Sequence, residues 1–299
     1  MEVATPMPFI EIANLTKDYG RGRGIFDLSL SMEQGEAFGY VGTNGAGKTT
    51  TIRHLMGFIR PQKGVATIGG LDCWKDSAQI KRRIGYVPGE IAFPDASNGL
   101  DFLKRQAELA GLKDLSRMHQ LLERLQLDPT ANLKRMSKGM KQKTAIVAAL
   151  MTDPDILILD EPTTGLDPLM RAIFMDLMKQ EKQRGKTIFM SSHLFEEVEQ
   201  LCDKVGLIKD GRLLAVKATS EILHNENKVY QVDFHSAEEY RRFLAEPYEL
   251  AGRSDTLCQV KVKVHDRQIN AFIRTLNTYD LKSFAEIKYT LRDYFRSLY

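Results

Sequence analysis

Cysteine is scarce. The 299 residues include only Cys73, Cys202 and Cys258. They are odd in number, scattered and without a CxxC pair, which argues against a disulfide-stapled secreted scaffold and for a reducing compartment. Long hydrophobic runs are missing: nowhere do about 18 apolar residues follow one another, the length a membrane-crossing helix needs, so the chain is not expected to be a channel. The start, MEVATPMPF, has neither the basic nor the apolar region of a secretory signal. There is no internal repeat, low-complexity tract or long heptad pattern, which argues against a coiled coil. An excess of one charge is absent too. Lys plus Arg number 42 and Asp plus Glu 39, leaving +3, a balance that neither demands nor forbids nucleic acid. What remains is 43% hydrophobic and 27% charged residues, the composition of a folded globular protein. The length favours one large domain plus a smaller one.

Strand and helix patterns alternate through the first two thirds. FIEIAN (9–14) and EAFGYV (36–41) read as strands, and a Gly-rich turn follows the second. Ile52, Leu55, Met56 and Ile59 then recur at helix spacing. GVATIGG (64–70) reads as a short hairpin strand. Residues 100–127 read as helical, with Leu121, Leu122 and Leu125 on one face, and 139–151 as a further helix. ILILD (156–160) and TIFMSS (187–192) have the apolar runs of strands covered on both faces. Helices are expected at about 169–184 and at 194–202, and a hairpin turning at Asp210–Gly211 at 205–215. This alternation predicts an α/β sheet domain over 1–219. From about 220 the pattern becomes strand, helix, strand, helix, helix (229–234, 237–245, 258–264, 269–276, 291–298), with weak strands near 248–252 and 281–288. A small α+β accessory domain is expected over 220–299.

Chemistry concentrates at three places. Residues 42–50, GTNGAGKTT, satisfy G-x-x-x-x-G-K-[ST] between a predicted strand and helix. Gly42, Gly45 and Gly47 let the backbone turn tightly, so its N–H groups and those of the following helix can cradle phosphate oxygens. Thr43, Asn44, Ala46 and Thr50 complete that loop, Lys48 can reach the β and γ phosphates, and the Thr49 hydroxyl can ligate Mg²⁺. The strand 156–160 ends in Asp160, where a metal beside the phosphates would sit, and Glu161 follows as a candidate general base. His193 stands at the carboxyl end of the strand 187–192, where α/β sites lie, and can contact the γ-phosphate or orient the water near Glu161.

The ordered set resembles the nucleotide-binding subunits of ABC transporters over roughly residues 9–219. Gly42–Thr50 matches their Walker A loop, Met136–Met140 (MSKGM) resembles their signature, Ile156–Glu161 their Walker B, Thr164–Asp167 (TGLD) their D-loop, and His193 their switch histidine. Tyr19 lies where the family sets an aromatic ring against adenine. The SKGMKQK wording and the C-terminal extension look like subunits serving ABC-2-type export permeases.

The resemblance implies a P-loop NTPase fold of ABC type with a helical subdomain at about 90–152. It implies ATP and Mg²⁺ as cofactors, with Lys48, Glu161 and His193 catalytic. It also implies a head-to-tail dimer, of identical or different subunits, in which Ser137 and Gly139 of one copy cover the ATP of the other. The partner would be a separate transmembrane permease, not nucleic acid, and the chain would lie peripherally on the cytoplasmic side of the cell membrane. The export substrate would be a drug, a peptide or a lipid-like molecule. Two alternatives stand beside this: a soluble ABC-type ATPase of translation or DNA repair, and a non-transport regulatory nucleotide-binding module.

Departures from the family pattern are specific. Where the Q-loop glutamine is usual, after IGYVP, stand Gly89 and Glu90. The glutamine's role is then lost or passes to Glu90, a candidate metal ligand. Lys138 and Met140 replace glycine and glutamine in the signature, and Thr43 a common proline. Ile91, Ala92 and Phe93 place apolar residues in a loop able to receive a permease helix. In the tail, Leu291, Tyr294, Phe295 and Leu298 form an amphipathic stripe expected to pack, and Lys261 and Lys263 alternate with valines as the solvent face of a strand.

Overall fold

The computed structural model describes residues 8–94, 96–224 and 226–298. The segment MEVATPM, part of the start expected to hold no secretory signal, and the last residue, Tyr299, lie outside the described residues. The chain forms two compact units, Met1–Thr219 and Ser220–Tyr299.

In the first unit β1 (Ile10–Asp18) and β2 (Gly24–Met32) pair antiparallel, with Ile10 opposite Met32 and Ile12 opposite Leu30. The sequence reading passed over β2, although its Leu28, Leu30 and Met32 alternate inward with polar residues between them. β3 (Ala37–Val41) and α1 (Lys48–Leu55) flank the Gly-rich turn. The helix pattern was expected to run on to Ile59, but α1 stops at Leu55, because Gly57 takes a left-handed φ of 61° just beyond it. β4 (Lys63–Ile68) and β5 (Leu71–Asp72) complete a four-stranded antiparallel sheet in the order β2-β1-β4-β5. α2 (Ser77–Lys81) and β6 (Ile84–Val87) come next.

The single helical stretch expected over 100–127 is two helices, α3 (Gly99–Leu109) and α4 (Ser116–Arg124). Between them Gly111 sits at a φ of 71°, which no continuing helix adopts. α5 (Lys138–Leu150) follows. The Arg117 guanidinium on α4 donates to Glu181 Oε1 at 2.7 Å, tying this helical region to the next part of the chain.

That part holds β7 (Ile156–Asp160), α6 (Pro168–Gln183), β8 (Thr187–Ser192), α7 (Phe195–Leu201), β9 (Lys204–Lys209) and β10 (Arg212–Ala218). The central sheet has the order β10-β9-β3-β8-β7-β6 and is parallel except for the β9–β10 hairpin. Every residue of β3, β7 and β8 is buried, which is why these strands carry adjacent apolar residues rather than a strict alternation, with polar residues at the carboxyl ends of β7 and β8. A core of Ile10, Leu28, Phe38, Tyr40, Ile52 and Phe189 joins the two sheets through α1.

α8 (Thr219–Leu223) precedes the second unit's β11 (Asn227–Phe234), α9 (Ala237–Phe243), β12 (Glu249–Ser254), β13 (Gln259–His265), α10 (Ile269–Leu276), β14 (Leu281–Ile287) and α11 (Leu291–Ser297). Its sheet order is β12-β13-β11-β14 and all neighbours are antiparallel. A β-α-β-β-α-β chain threaded in that order is the ferredoxin-like arrangement. Its core is aromatic and β-branched: Val232, Phe234, Phe243, Val260, Val262 and Phe272. Lys261 and Lys263 are exposed. The tail stripe is shorter than expected, with Leu291 and Phe295 buried and Leu298 exposed.

Candidate functional site

Strand order makes the site. β8 lies between β3 and β7, and all three run parallel. Their carboxyl ends therefore sit side by side, bringing together the turn after β3, the carboxylates ending β7 and the histidine after β8.

The turn closes on itself through Ala46, whose N–H donates to the Thr43 carbonyl at 3.1 Å. Gly47 caps α1 at a φ of 111°, a conformation that any side chain would strain. Lys48 is buried: its ammonium donates to the carbonyls of Gly42 (2.7 Å) and Thr43 (3.2 Å) and lies 3.1 Å from Glu161 Oε1. Asn44, Gly45, Gly47, Thr49 and Thr50 line a cleft that Tyr19 and Arg23 also border. Tyr19 is held there by a tight turn, its N–H donating to the Arg23 carbonyl at 2.8 Å. Arg23 is a lining residue that no motif announced.

Asp160 is fully buried. Its Oδ1 accepts from the Ser191 hydroxyl at 2.6 Å, while its Oδ2 has no partner among the described residues. The same Ser191 hydroxyl accepts from the Glu161 N–H at 3.0 Å, so one side chain of β8 orients both carboxylate residues of β7. Sequence reasoning missed Ser191; its only signal was a polar residue next to last in a buried strand, two residues before His193. Glu161 takes a left-handed φ of 48°. Its Oε2 lies 2.9 Å from His193 Nδ1. Burial pushes the Glu161 carboxyl up, but Lys48 and His193 outweigh it and hold it below the usual carboxylate range.

A second cavity opens on the other side of these carboxylates, where Thr49, Asp160 and Glu161 meet Arg53, Gly89 and Glu90. Gly89 is not an idle replacement. A Cβ at this position would come within 2.9 Å of Asp160 Oδ2. The apolar loop beside it turns partly inward, since Phe93 meets Phe102 edge-on at 4.8 Å.

The donor set fits a hard divalent cation. A buried carboxylate oxygen without a partner faces the same cavity as the Thr49 hydroxyl and Glu90. Thr49, Asp160 and Glu90 offer oxygen atoms alone, which suits a hard cation that takes its remaining ligands from phosphate and water.

Ser137 and Gly139 line neither cavity. Ser137 caps α5, accepting from the Met140 N–H at 3.2 Å. A Cβ at Gly139 would come within 2.8 Å of the Gly165 carbonyl, so the close approach this glycine permits within the chain is to the 164–167 turn. Gln142, buried on α5, donates to the Pro162 carbonyl at 2.7 Å and holds the segment that leads into that turn.

An ABC transporter family model matches residues 25–164. The linearmycin resistance ATP-binding protein LnrL of Bacillus subtilis (strain 168) is 37% identical over 218 residues, 71% of this chain and 70% of that protein. The chain belongs to the ATP-binding subunits of the ABC transporter family. The bacitracin transport ATP-binding protein BcrA of Bacillus licheniformis is 40% identical over 211 residues, 69% of this chain and 68% of that one. A solved ATP-binding subunit of an ABC transporter superposes with a TM-score of 0.65 at 29% identity, covering 72% of this chain and 91% of its own. The fold is the ABC-type P-loop NTPase, and the Gly42–Thr50 turn lies within the residues the family model matches. Among the described residues no helix is long and apolar enough to cross a membrane.

Proposed function

We propose that this chain hydrolyses Mg²⁺–ATP as one of two nucleotide-binding subunits on a separate permease of the ABC-2 export type. The observation that carries the reading is the contact chain Lys48–Glu161–His193 at the joined ends of β3, β7 and β8.

The triphosphate lies along the turn, where the N–H groups of residues 45–50 and the Lys48 ammonium offset its charge. Tyr19 stacks on the base. Glu161 takes the proton of the attacking water, with His193 fixing the orientation of its carboxylate and Ser191 fixing its backbone. Thr49 and Asp160 Oδ2 would hold Mg²⁺, with Glu90 as a further ligand directly or through water. The metal would neutralise charge on the β and γ oxygens as the phosphoryl group moves.

Ser137 and Gly139 of a second subunit, identical or different, close the site at the start of its α5, whose N-terminal end favours the γ-phosphate. Hydrolysis weakens that bridge, and the opening drives a permease that moves a drug, peptide or lipid-like substrate. The chain then works peripherally at the cytoplasmic face of the cell membrane. The names of the two relatives, one for resistance and one for transport, support an export reading.

The deciding experiment is isolation of the native assembly. Affinity capture of the tagged chain from solubilised membranes is expected to recover a polytopic membrane subunit, and ATP turnover by that complex to depend on Mg²⁺. Recovery with ribosomes or DNA-repair proteins, and no membrane subunit, would overturn the assignment.

Gly89 supplies a sharper check on the metal-side cavity. Gly89→Gln introduces the residue usual in the family, yet its Cβ meets the Asp160 carboxylate at 2.9 Å. Ser191 holds that carboxylate and leaves it little room to yield. Turnover is expected to fall about tenfold or more, with a higher Mg²⁺ requirement. A Gln variant as fast as the parent across a Mg²⁺ titration would show that the close approach is without consequence.

A further inference from the structure

Glu197 is a buried carboxyl group outside the nucleotide site. It stands in the first turn of α7 and is 3% exposed. Holding a carboxyl group away from water is costly unless its oxygens are paired. Leu194, at the N-cap of α7, has no polar side chain to close the start of the helix. Glu197 reaches back instead, and its Oε2 accepts from the Ser192 hydroxyl at 2.8 Å. Its Oε1 lies 3.6 Å from Arg171 Nε on α6, and neither of these two atoms has a hydrogen bond among the described residues.

The Ser192 hydroxyl works in both directions. Its oxygen accepts from the Leu194 N–H at 3.0 Å, a bond that spans His193. A hydroxyl carries a single proton, and its near acceptor is Glu197 at 2.8 Å, against 3.4 Å to the Leu194 carbonyl. The carboxyl group thereby sets the direction of the hydroxyl that closes the turn around His193. Packing does not hold this turn in its place, because the His193 side chain is 47% exposed.

The two serines that end β8 divide the work. Successive residues of a strand face opposite ways. Ser191 bonds Asp160 and the Glu161 N–H, while Ser192 bonds the start of α7. One orients the carboxylates and the other the histidine. Arg171 braces Glu197 from α6, and its own N–H donates to the Asp167 carbonyl at 2.9 Å, where α6 leaves the 164–167 turn.

We propose that Ser192 and Glu197 are positioning residues for His193. Glu197 directs the Ser192 hydroxyl, the hydroxyl holds the backbone of 192–194, and that backbone sets the imidazole 2.9 Å from Glu161 Oε2. Neither residue lines the cavities beside the carboxylates. The role rests on the hydrolysis reading, in which His193 orients Glu161. A carboxyl group that only closed α7 would matter equally with or without His193.

The test uses the full-length chain and two readouts. The first needs no nucleotide. With isotope-labelled histidine, the ring resonance of His193 is identified by its loss in His193→Ala, and its shift on Glu161→Gln reports the contact between the two side chains. Ser192→Ala and Glu197→Met are expected to cut that shift to less than about a third of its parent value, while Ser192→Thr, which keeps a hydroxyl, retains it. The second readout is ATP turnover. Each disruptive substitution is expected to lower kcat about tenfold with KM within about twofold. Once His193 is replaced by alanine, each should cost less than about twofold. Ser192→Ala removes a single oxygen at a strand end, so it decides the question even where Glu197→Met fails to fold. A contact shift that survives Ser192→Ala, a loss of turnover as large without His193 as with it, or no rescue by Ser192→Thr would each overturn the proposal. A parent with no turnover would sink the hydrolysis reading, and the resonance comparison would still decide the positioning role.

Discussion

Glu161→Gln is expected to lower ATP turnover by a factor of about 10² to 10⁴ while leaving ATP affinity within a few-fold of the parent. The glutamine is isosteric and its N–H keeps donating to the Ser191 hydroxyl and carbonyl, so the local frame should survive. What it removes is the proton acceptor. Glu161 suits that role because Lys48 and His193 hold its carboxyl below the usual range, leaving it ionised at neutral pH. The same two contacts fix its direction, at 3.1 Å from the Lys48 ammonium and 2.9 Å from His193 Nδ1. Phosphate release and equilibrium binding of a fluorescent ATP analogue separate the two effects. Turnover retained within threefold would show that the proton leaves by another route, and the role assigned to Glu161 would have to be abandoned.

The parts of this site were legible in the sequence, and their meeting was expected from the family resemblance rather than read from the spacing of the residues. A phosphate-loop pattern, a strand ending in Asp160–Glu161 and a strand ending before His193 are local signals, each carried by a few adjacent residues. Their convergence depends on β8 inserting between β3 and β7, a long-range pairing that no spacing encodes. Ser191 escaped notice for the same reason: its two bonds, to Asp160 and to the Glu161 N–H, run across neighbouring strands.

The fold shows the same divide. Fully buried strands announce themselves as apolar runs, whereas the alternation of β2 begins just after the Gly-rich turn at 20–24 and was lost in it. β6 is only four residues long and carries too little pattern. The helix boundaries misread at Gly57 and Gly111 both turned on a glycine whose left-handed φ became evident only in the structure. In the second unit the strands and helices were readable, but the order β12-β13-β11-β14, which leaves β14 at an edge, was not.

Lys48→Met should have the broader effect, abolishing turnover and weakening ATP binding by about a hundredfold. The ammonium is buried, and its hydrogens are committed to the Gly42 and Thr43 carbonyls and to Glu161. Methionine fills the volume but offers no donor and no charge. Bound phosphate then loses its nearest cation, and a charge-assisted contact of this kind is worth roughly 1.5–3 kcal/mol. The loss also reaches the free protein. Without Lys48 the Glu161 carboxyl keeps its burial but not its main counter-charge, so its pKa moves back upward and the partly buried carboxylate destabilises the folded chain, by less than a fully buried one would because solvent screens it. Adding Glu161→Gln to Lys48→Met should therefore recover part of the lost thermal stability while recovering none of the turnover. Calorimetric ATP titration and thermal unfolding of both single variants and the double variant distinguish these expectations. Additive stability losses would mean that Lys48 and Glu161 do not act as a pair. Unchanged ATP affinity in Lys48→Met would mean that the turn binds phosphate through its backbone alone.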